Sequence, residues 1–308
     1  MRHRMVVPAV VGAAVAAVLL VFLAVTVVRR DDRAAAPGPE PSISTTTSAP
    51  TSPSPSVSPS GSPGVSPPAS PTRSATASPT RSPSPTRSPS PTVPGVPRAL
   101  LGKDVERIPT SQPVVALTFD AGSNADGLPA ILRTLADEQV RATFFLTGSF
   151  AERHPAAVRA IVAAGHRLGN HTATHPYLTR LSDDAVRAEL STGERQILAA
   201  GGTNTRPLFR FPYGDRDART IAVVNSRGYV AVRWTVDTLG WKGTDAGITT
   251  GQVVSRTVGA ARPGEIVLMH VGANPDDHST LDADALPTVI HQLRSKGYRF
   301  VTLDALLT

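Results

Sequence analysis

A single long apolar run dominates the start of the chain. It extends from Met5 to Val28 and contains no charged residue. At about 1.5 Å per residue, a helix of this length spans a hydrocarbon core of about 30 Å. Cleaved signal peptides have a shorter apolar region of about 7–15 residues. Residues 1–36 are therefore predicted to form a short cytoplasmic stub and a transmembrane signal anchor. The alternative is a signal that is cleaved, which would release the protein from the cell.

The next stretch, residues 37–97, shows no apolar periodicity. It consists almost entirely of Pro, Ser, Thr, Gly and Ala, and the tetrapeptide Pro-Thr-Arg-Ser recurs in it at Pro71, Pro79 and Pro85. Such a composition offers too little apolar surface for a folded core and predicts a disordered linker. Proline favours an extended chain of about 3.1 Å per residue, so we expect the linker to act as a spacer.

Short apolar runs then alternate with longer amphipathic segments, which predicts one globular domain over 98–308 with its core at about 113–306. Val114–Phe119 is almost wholly apolar, as in a parallel strand that is covered on both faces. The predicted strands are Val114–Phe119, Ala142–Leu146, His166–Asn170, Leu208–Arg210, Tyr229–Val236, Glu265–Met269 and Arg299–Leu303. Strands that alternate with helices indicate a parallel α/β architecture, either a barrel or a doubly wound sheet.

The helices between these strands are predicted from periodicity and from capping signals. The predicted helices are Leu128–Glu138, a segment from Pro155 to the residue before Gly165, Ser182–Ala200, Asp217–Ser226, Thr249–Ala261 and Asp284–Ser295. Ser149 with Glu152, and Thr249 with Gln252, match the capping-box pattern at the start of a helix.

Charge and composition exclude several classes of function. The formal net charge is +7, but residues 1–97 account for most of it, since they carry eight of the 31 Lys and Arg residues and three of the 24 Asp and Glu residues. A nearly neutral globular domain argues against nucleic-acid binding. The chain has no cysteine, which excludes disulfides, cysteine-ligated zinc sites and thiol catalysis.

Polar residues follow several predicted strands at the point where each strand ends. These residues are Asp120, His171, His175, Arg210, Asp237 and His270. In parallel α/β proteins the active residues collect at the carboxyl ends of the strands. Most of these residues are Asp or His, which bind metals and transfer protons. The sequence therefore predicts an active site at this edge of the sheet.

The histidines His171 and His175 are spaced so that both imidazoles would project from one face of a helical turn, as a divalent metal needs. Surface or core histidines are the alternative interpretation. Asp120 could act as a general base on a metal-bound water, and otherwise as a turn residue. Asp237 and His270 could form an acid in which the carboxylate of Asp237 holds the His270 ring and favours its protonated form. A purely structural pair is the alternative.

Five segments in this order resemble the motifs of the polysaccharide deacetylase family, the NodB-like domain of carbohydrate esterase family four. The matching segments are Thr118-Phe119-Asp120, His171-Thr-Ala-Thr-His175, Arg210-Phe-Pro-Tyr213-Gly214, Asp237-Thr-Leu-Gly-Trp241 and Leu268-Met-His270. The resemblance covers nearly the whole globular part, from about Pro113 to Leu306.

The resemblance implies a distorted (β/α) barrel with about seven parallel strands and a divalent metal ion such as zinc on His171 and His175. It also implies that Asp120 is the general base and His270 the general acid. The other implied roles are orientation of Asp120 by Arg210, tuning of His270 by Asp237, oxyanion binding by the backbone N–H of Tyr213, and walls for the acetyl methyl group from Trp241 and Leu268.

The chain departs from the family pattern at two positions. The first motif usually has a second Asp, a metal ligand, where this chain has Ala121, and the fourth usually has a second Asp where this chain has Gly240. Alanine cannot bind a metal. A replacement ligand could be Asn124, Asp126, a water molecule or Asp120 itself.

The sequence thus predicts a metal-dependent hydrolase that removes N-acetyl groups from a cell-wall polysaccharide, such as peptidoglycan or another N-acetylglucosamine polymer. A weakened or inactive glycan-binding member of the family is the alternative, because of Ala121. A hydrolase of a small amide is a third hypothesis, which the tether disfavours. The expected partners are the glycan and the membrane, through residues 5–28, with no nucleic acid and no obligate protein partner. We expect the catalytic domain at the outer face of the cell membrane.

Overall fold

A computed structural model describes residues 96–308. The predicted membrane segment lies outside the described residues, and so does the predicted linker except for its last two residues. Among the described residues no helix is both long enough and apolar enough to cross a membrane. The anchor and the spacer therefore stay predictions from sequence.

The described residues form an α/β half-barrel whose strands belong to one sheet. Its strands are β1 Asp104–Val105, β2 Val114–Ala121, β3 Thr143–Leu146, β4 Arg167–Asn170, β5 Leu208–Phe209, β6 Val230–Val232, β7 Val236–Asp237, β8 Glu265–His270 and β9 Arg299–Phe300. Their order is β1-β6-β5-β4-β3-β2-β8-β7, with β9 beside the start of β2, and every pair of these strands is parallel. The parallel α/β architecture predicted from sequence is confirmed.

Helices connect most of these strands. They are α1 Leu128–Asp137, α2 Gly148–Arg153, α3 Pro155–Ala163, α4 Asp183–Ala199, α5 Ala218–Ser226, α6 Thr250–Gly259 and α7 Leu281–Ser295. The predicted capping box at Thr249 is confirmed. The one at Ser149 is wrong, because the side chain of Thr147 accepts from the N–H of Phe150 and caps α2 instead. Helix α7 begins at Leu281, three residues before the predicted start.

The strand predicted over Tyr229–Val236 is in fact two strands at distant positions in the sheet. β6 pairs with β1 and β5, whereas β7 pairs with β8. In between, the N–H of Arg233 donates to Val105 O and the N–H of Thr235 donates to Ile266 O. The four Cα–Cα steps from the end of β6 to the start of β7 span at most about 14 Å. In a flat sheet, the six strand spacings between β6 and β7 would cover about 29 Å. The sheet must therefore curve until its two edges approach each other.

The central strand β2 separates the apolar core from the interior of the half-barrel. All eight of its residues are buried, including the six of Val114–Phe119 that were predicted to be covered on both faces. Successive side chains of a strand point to opposite faces. Phe119 and Ala121 belong to the core that packs against the helices. Thr118 and Asp120 point to the other face, where they meet the side chain of Arg210.

Candidate active site

Arg210 and Asp120 form a buried ion pair at the carboxyl end of the sheet. Nη1 of Arg210 donates to Oδ1 of Asp120 at 2.7 Å and to the Thr118 hydroxyl at 2.9 Å. The other guanidinium nitrogens donate to the carbonyls of Val232 and Arg233. Arg210 is fully buried, and Asp120 is 8% exposed. The guanidinium is thus fixed in the barrel interior and holds one oxygen of Asp120, leaving Oδ2 available.

The two histidines of the second motif converge, although they do not lie on a helical turn. Their Nε2 atoms are 3.2 Å apart. The loop after β4 is irregular, because Thr172 and His175 both adopt positive φ angles of 72° and 65°. Nδ1 of His171 donates to the carbonyl of Arg210 at 2.8 Å, which directs Nε2 toward His175. The spacing was therefore informative, but the predicted local geometry was wrong.

Helix α4 holds this loop in its irregular conformation, through a residue that the sequence did not single out. Oε2 of Glu189 accepts the backbone N–H groups of Ala173 and Thr174, both at 2.9 Å, and Oε1 accepts the Thr174 hydroxyl. Gly193 lies one turn further along α4, where an added Cβ would be 2.6 Å from Thr172 O. Helix and loop can therefore approach closely only because residue 193 is a glycine.

His270 is the ladder neighbour of Asp120, since β8 pairs with β2 in the register Asp120↔His270. Neighbouring side chains in a parallel ladder project to the same face, so both groups border the same edge of the half-barrel. Leu268 lies two residues earlier on β8, on the same face, and is buried. The structure thus brings together the predicted base, the predicted acid and one predicted wall.

The carboxylate nearest to His270 is not the predicted one. Asp237 accepts instead from the N–H of Leu239 at 2.9 Å and from Nε1 of Trp241 at 3.4 Å, so it orders its own loop. Asp282, at the start of α7, places Oδ2 3.5 Å from Nδ1 of His270 and accepts the backbone N–H of His270 at 2.8 Å. Sequence reasoning missed Asp282.

Two exposed aromatic residues border the site, one beside His175 and the other near His270. Tyr213 has a positive φ of 58° and packs edge-on against His175, with ring centroids 4.4 Å apart. Tyr177 stacks on the ring of Tyr213, with ring centroids 4.2 Å apart. Trp241 lies near His270, with ring centroids 6.3 Å apart. Tyr213 is 58% exposed and Trp241 46%. These two side chains at the rim of the site are therefore accessible to solvent.

Burial and neighbouring charges set the protonation states. Burial raises the pKa of Asp120, but Arg210, His171 and His270 together outweigh it and hold that pKa below its ordinary value. Burial lowers the pKa of His171, and burial with the neighbouring His171 lowers the pKa of His175 to about 3. At neutral pH the site therefore has an ionised Asp120 and two neutral imidazoles, the forms that a base and metal ligands require.

His270 responds in the opposite direction. Burial lowers its pKa, but the carboxylate of Asp282, 3.5 Å from Nδ1, outweighs burial together with smaller contributions from Asp120 and Asp237 and raises it. A raised pKa favours the imidazolium, which is the form that can give a proton.

The donor set fits a divalent ion only in part. Two nitrogens at about 2.0–2.1 Å from one tetrahedral ion lie about 3.3 Å apart, close to the separation of the two Nε2 atoms. Oδ2 of Asp120 is 3.4 Å from Nε2 of His171. Within residues 96–308, however, no group of three His, Cys, Asp or Glu side chains is arranged to hold a metal ion. The residues thus supply two imidazole ligands and no complete three-ligand site.

Comparison with known proteins identifies the family. A family model for polysaccharide deacetylase matches residues 107–232. The peptidoglycan-N-acetylglucosamine deacetylase of Bacillus cereus is 36% identical over 198 residues, covering 64% of this chain and 70% of that protein. This chain belongs to the polysaccharide deacetylase family. The resemblance drawn from the five motifs is confirmed.

Solved structures of polysaccharide deacetylase relatives share the fold. The Bc1960 peptidoglycan N-acetylglucosamine deacetylase matches with a TM-score of 0.60 and 33% identity, over 66% of this chain and 91% of that one. BA3943 of Bacillus anthracis, a CE4 family pseudoenzyme, matches with a TM-score of 0.58 and 30% identity, over 64% of this chain and 66% of that one. The similar folds thus include a deacetylase and a protein described as a pseudoenzyme.

Alanine replaces the usual metal-ligand carboxylate at residue 121. Among residues 96–308, Asp120 is the only carboxylate within 4 Å of the two imidazoles. Ala121 is fully buried in the apolar core. The amide of Asn124 is already used, because it donates to Ala273 O and accepts from the N–H groups of Ala273 and Asp126. Asp126 is exposed. Asn124 is thus excluded as a ligand in this conformation.

Proposed function

We propose that this chain is a metal-dependent hydrolase that removes N-acetyl groups from a cell-wall polysaccharide, such as peptidoglycan or another N-acetylglucosamine polymer. One observation carries the proposal. Asp120 and His270 are ladder neighbours on β2 and β8, and Oδ2 of Asp120 faces the paired imidazoles of His171 and His175. A base, an acid and two metal-binding nitrogens are thus adjacent at one open edge of the sheet.

The residues divide the reaction between two proton transfers. Asp120, kept ionised by Arg210, takes a proton from the water that attacks the acetamide carbonyl carbon. The carbonyl oxygen becomes an oxyanion, for which the family resemblance assigns the backbone N–H of Tyr213 as a donor. His270 then gives its proton to the leaving nitrogen, so that acetate and a free amino sugar are formed.

A divalent ion held by His171 and His175 would lower the pKa of the attacking water and polarise the carbonyl. The protein fixes both ligands for this task. The carbonyl of Arg210 sets the tautomer of His171, and the carboxylate of Glu189 holds the loop between the two histidines. The same Arg210 therefore orients the base with its side chain and a metal ligand with its backbone.

The openness of the site supports a polymeric substrate over a small amide. Tyr213 lies against His175 and Trp241 lies near His270, and both remain about half exposed. A pocket for a small molecule normally buries most of its ligand. Two half-exposed aromatic rings beside the proposed catalytic groups offer surfaces on which sugar units of a polymer can pack.

The test is acetate release by the purified full-length chain. The substrates are N-acetylglucosamine oligomers and insoluble peptidoglycan, each assayed with zinc and with other divalent metals. We expect acetate release with at least one combination of glycan and metal, and loss of this activity in His175→Ala. His291→Ala, a matched change at an exposed histidine on α7, should keep the activity. No release from any glycan with any metal, by a folded protein, would refute the proposal.

A catalytically inactive glycan-binding member is the second candidate. The absence of a third protein ligand at Ala121, and the similarity to a pseudoenzyme, favour it. This candidate predicts that the metal-free protein and His270→Ala both bind glycan as well as the wild type does, and that neither hydrolyses it. Acetate release that requires both His175 and His270 would exclude it.

We further propose that residues 5–28 anchor the chain in the cell membrane and that residues 37–97 hold the catalytic domain in the wall, with secretion after cleavage as the alternative. The uncharged apolar run and the Pro-rich composition support this arrangement. Membrane fractionation of cells, with protease added outside, tests it. Domain that is found in the membrane fraction and is digested in intact cells is the expected result, and soluble cytoplasmic protein would contradict it.

A further inference from the structure

The carboxylate of Asp282 is buried directly behind His270. Asp282 is 4% exposed. Its Oδ2 accepts the backbone N–H of His270 at 2.8 Å and lies 3.5 Å from Nδ1 of the same residue. Its Oδ1 accepts the Thr238 hydroxyl at 2.6 Å. One side chain of α7 thus contacts the end of β8 and the loop after β7.

The same carboxylate fills the space beside Gly240. A Cβ added to Gly240 would lie 2.4 Å from Oδ1 and 2.6 Å from Cγ of Asp282. No side chain larger than hydrogen fits at residue 240 while Asp282 keeps this position. Gly240 does not have a positive φ, so its backbone conformation does not require glycine. The glycine is therefore explained by the carboxylate beside it.

Helix capping does not account for this burial. Acidic residues are common in the first turn of a helix, and α7 has two, Asp282 and Asp284. Asp284 is exposed and accepts only from the hydroxyl of Thr280. Asp282 instead points away from solvent, into the strand that carries His270. Favourable interaction with the helix dipole would be available to an exposed aspartate without the cost of burying a charge.

We propose that Asp282 is the positioning residue of the acid His270: from α7, it supplies the carboxylate that polysaccharide deacetylases usually carry at residue 240. It fixes the backbone of His270 and keeps a negative charge beside Nδ1, so that Nδ1 carries a proton and Nε2 faces the substrate. The inference rests on the proposed function, because it assigns a purpose to His270 in that reaction.

The first experiment separates charge from packing in the full-length chain. In Asp282→Asn the amide can still accept from the His270 N–H and contact the Thr238 hydroxyl, but it has no charge. We expect an unchanged thermal midpoint within a few degrees, an unchanged KM and a kcat at least tenfold lower. The alkaline limb of the pH profile should move to lower pH, since the general acid loses its proton more easily. Asp284→Asn is the matched control and should behave as wild type.

The second experiment exchanges the position of the carboxylate. Gly240→Asp alone should unfold at a clearly lower temperature, because the new side chain meets Asp282. Combining it with Asp282→Ala should restore both the thermal midpoint and kcat relative to either single variant. A double variant no better than Gly240→Asp, or an Asp282→Asn protein with wild-type kcat and pH profile, would overturn the proposal.

The protonation of the His270 ring can be measured by NMR without any catalytic activity, so the role of Asp282 can be tested separately from the proposed function. In protein with ¹⁵N-labelled histidine, the His270 ring signals are assigned by their loss in His270→Gln. A proton on Nδ1 in the wild type, lost or exchanged to Nε2 in Asp282→Asn, is the expected result, and identical spectra would refute the positioning role. A wild-type chain that releases no acetate would refute the proposed function alone, because the thermal and spectroscopic comparisons would still decide the place of Asp282.

Discussion

Replacing Arg210 by Met tests the buried ion pair between Arg210 and Asp120. Methionine keeps much of the apolar volume but leaves the carboxylate of Asp120 buried without a counter-charge. It also removes donors to the Thr118 hydroxyl and to the carbonyls of Val232 and Arg233. Removing one partner of a buried pair costs about 3–5 kcal/mol. For a domain of this size each kcal/mol shifts the thermal midpoint by about 2–4 °C, so we expect a decrease of about 6–20 °C.

The loss of unfolding free energy caused by Arg210→Met should increase with pH. In the wild type the pKa of Asp120 lies below the ordinary aspartate value of 3.8, so its stabilising contribution is present above that ordinary value and is lost as the pH falls through the lowered pKa. Without Arg210, burial raises the pKa of Asp120, and stability is lost as the pH rises through the raised value. The difference in unfolding free energy between wild type and Arg210→Met should therefore widen from pH 4 to pH 7.

Urea unfolding of four proteins measures this coupling: the wild type, Asp120→Asn, Arg210→Met and the double variant. The double variant should be more stable than Arg210→Met alone at pH 7, because no buried charge is left. Arg187→Met, which removes a largely exposed pair with Asp184, is the control and should cost less than about 1 kcal/mol. Single costs that simply add in the double variant would refute the reasoning.

Three further predictions concern the metal ligands and buried carboxylates. Ala121→Asp should be less stable than wild type without metal, and zinc should raise its thermal midpoint more than that of wild type. If zinc does not change its thermal midpoint, residue 121 does not reach the imidazoles. Glu189→Ala should lower stability by about 1–3 kcal/mol and weaken zinc binding, measured by calorimetry, whereas Glu194→Ala on the same helix should leave zinc binding unchanged. Burial raises the pKa of Glu265 from 4.5 to about 7. Stability relative to Glu265→Gln should therefore fall by about 3 kcal/mol as the pH rises from 4.5 to 7, and a flat difference in urea unfolding would contradict this.

The residues at strand ends could be predicted because the rule behind them is geometric. Asp120 and His270 end apolar runs, and parallel strands bring such ends to one edge of the sheet. The register Asp120↔His270 agrees with this expectation. The split of the strand Tyr229–Val236 could not be predicted, because its apolar pattern is the same whether the chain continues beside one strand or crosses to another.

The supporting carboxylates were harder to find, because they act across long sequence distances. Asp282 looks like an ordinary acidic residue in the first turn of α7. One signal was nevertheless present: residues three, four and seven positions later are the buried Ala285, Leu286 and Val289, so Asp282 lies on the apolar stripe of its helix. A charge on such a stripe indicates a buried partner. For Glu189 the comparable signal is the glycine one turn later, inside a helix, where glycine is unfavourable.

The two departures from the family pattern have different physical consequences. Beside Gly240 a carboxylate from α7 occupies the space, so His270, the proposed acid, keeps a charged neighbour. At Ala121 the side chain packs into the apolar core, and Asp120 is the only carboxylate within 4 Å of either paired imidazole among the described residues. A protein that only binds glycan gains nothing from burying a charge behind His270, and burying one is costly. In the proposed reaction Asp120 and His270 supply both proton transfers, whereas the metal has only two protein ligands. We therefore expect metal affinity, rather than acid or base strength, to limit the activity.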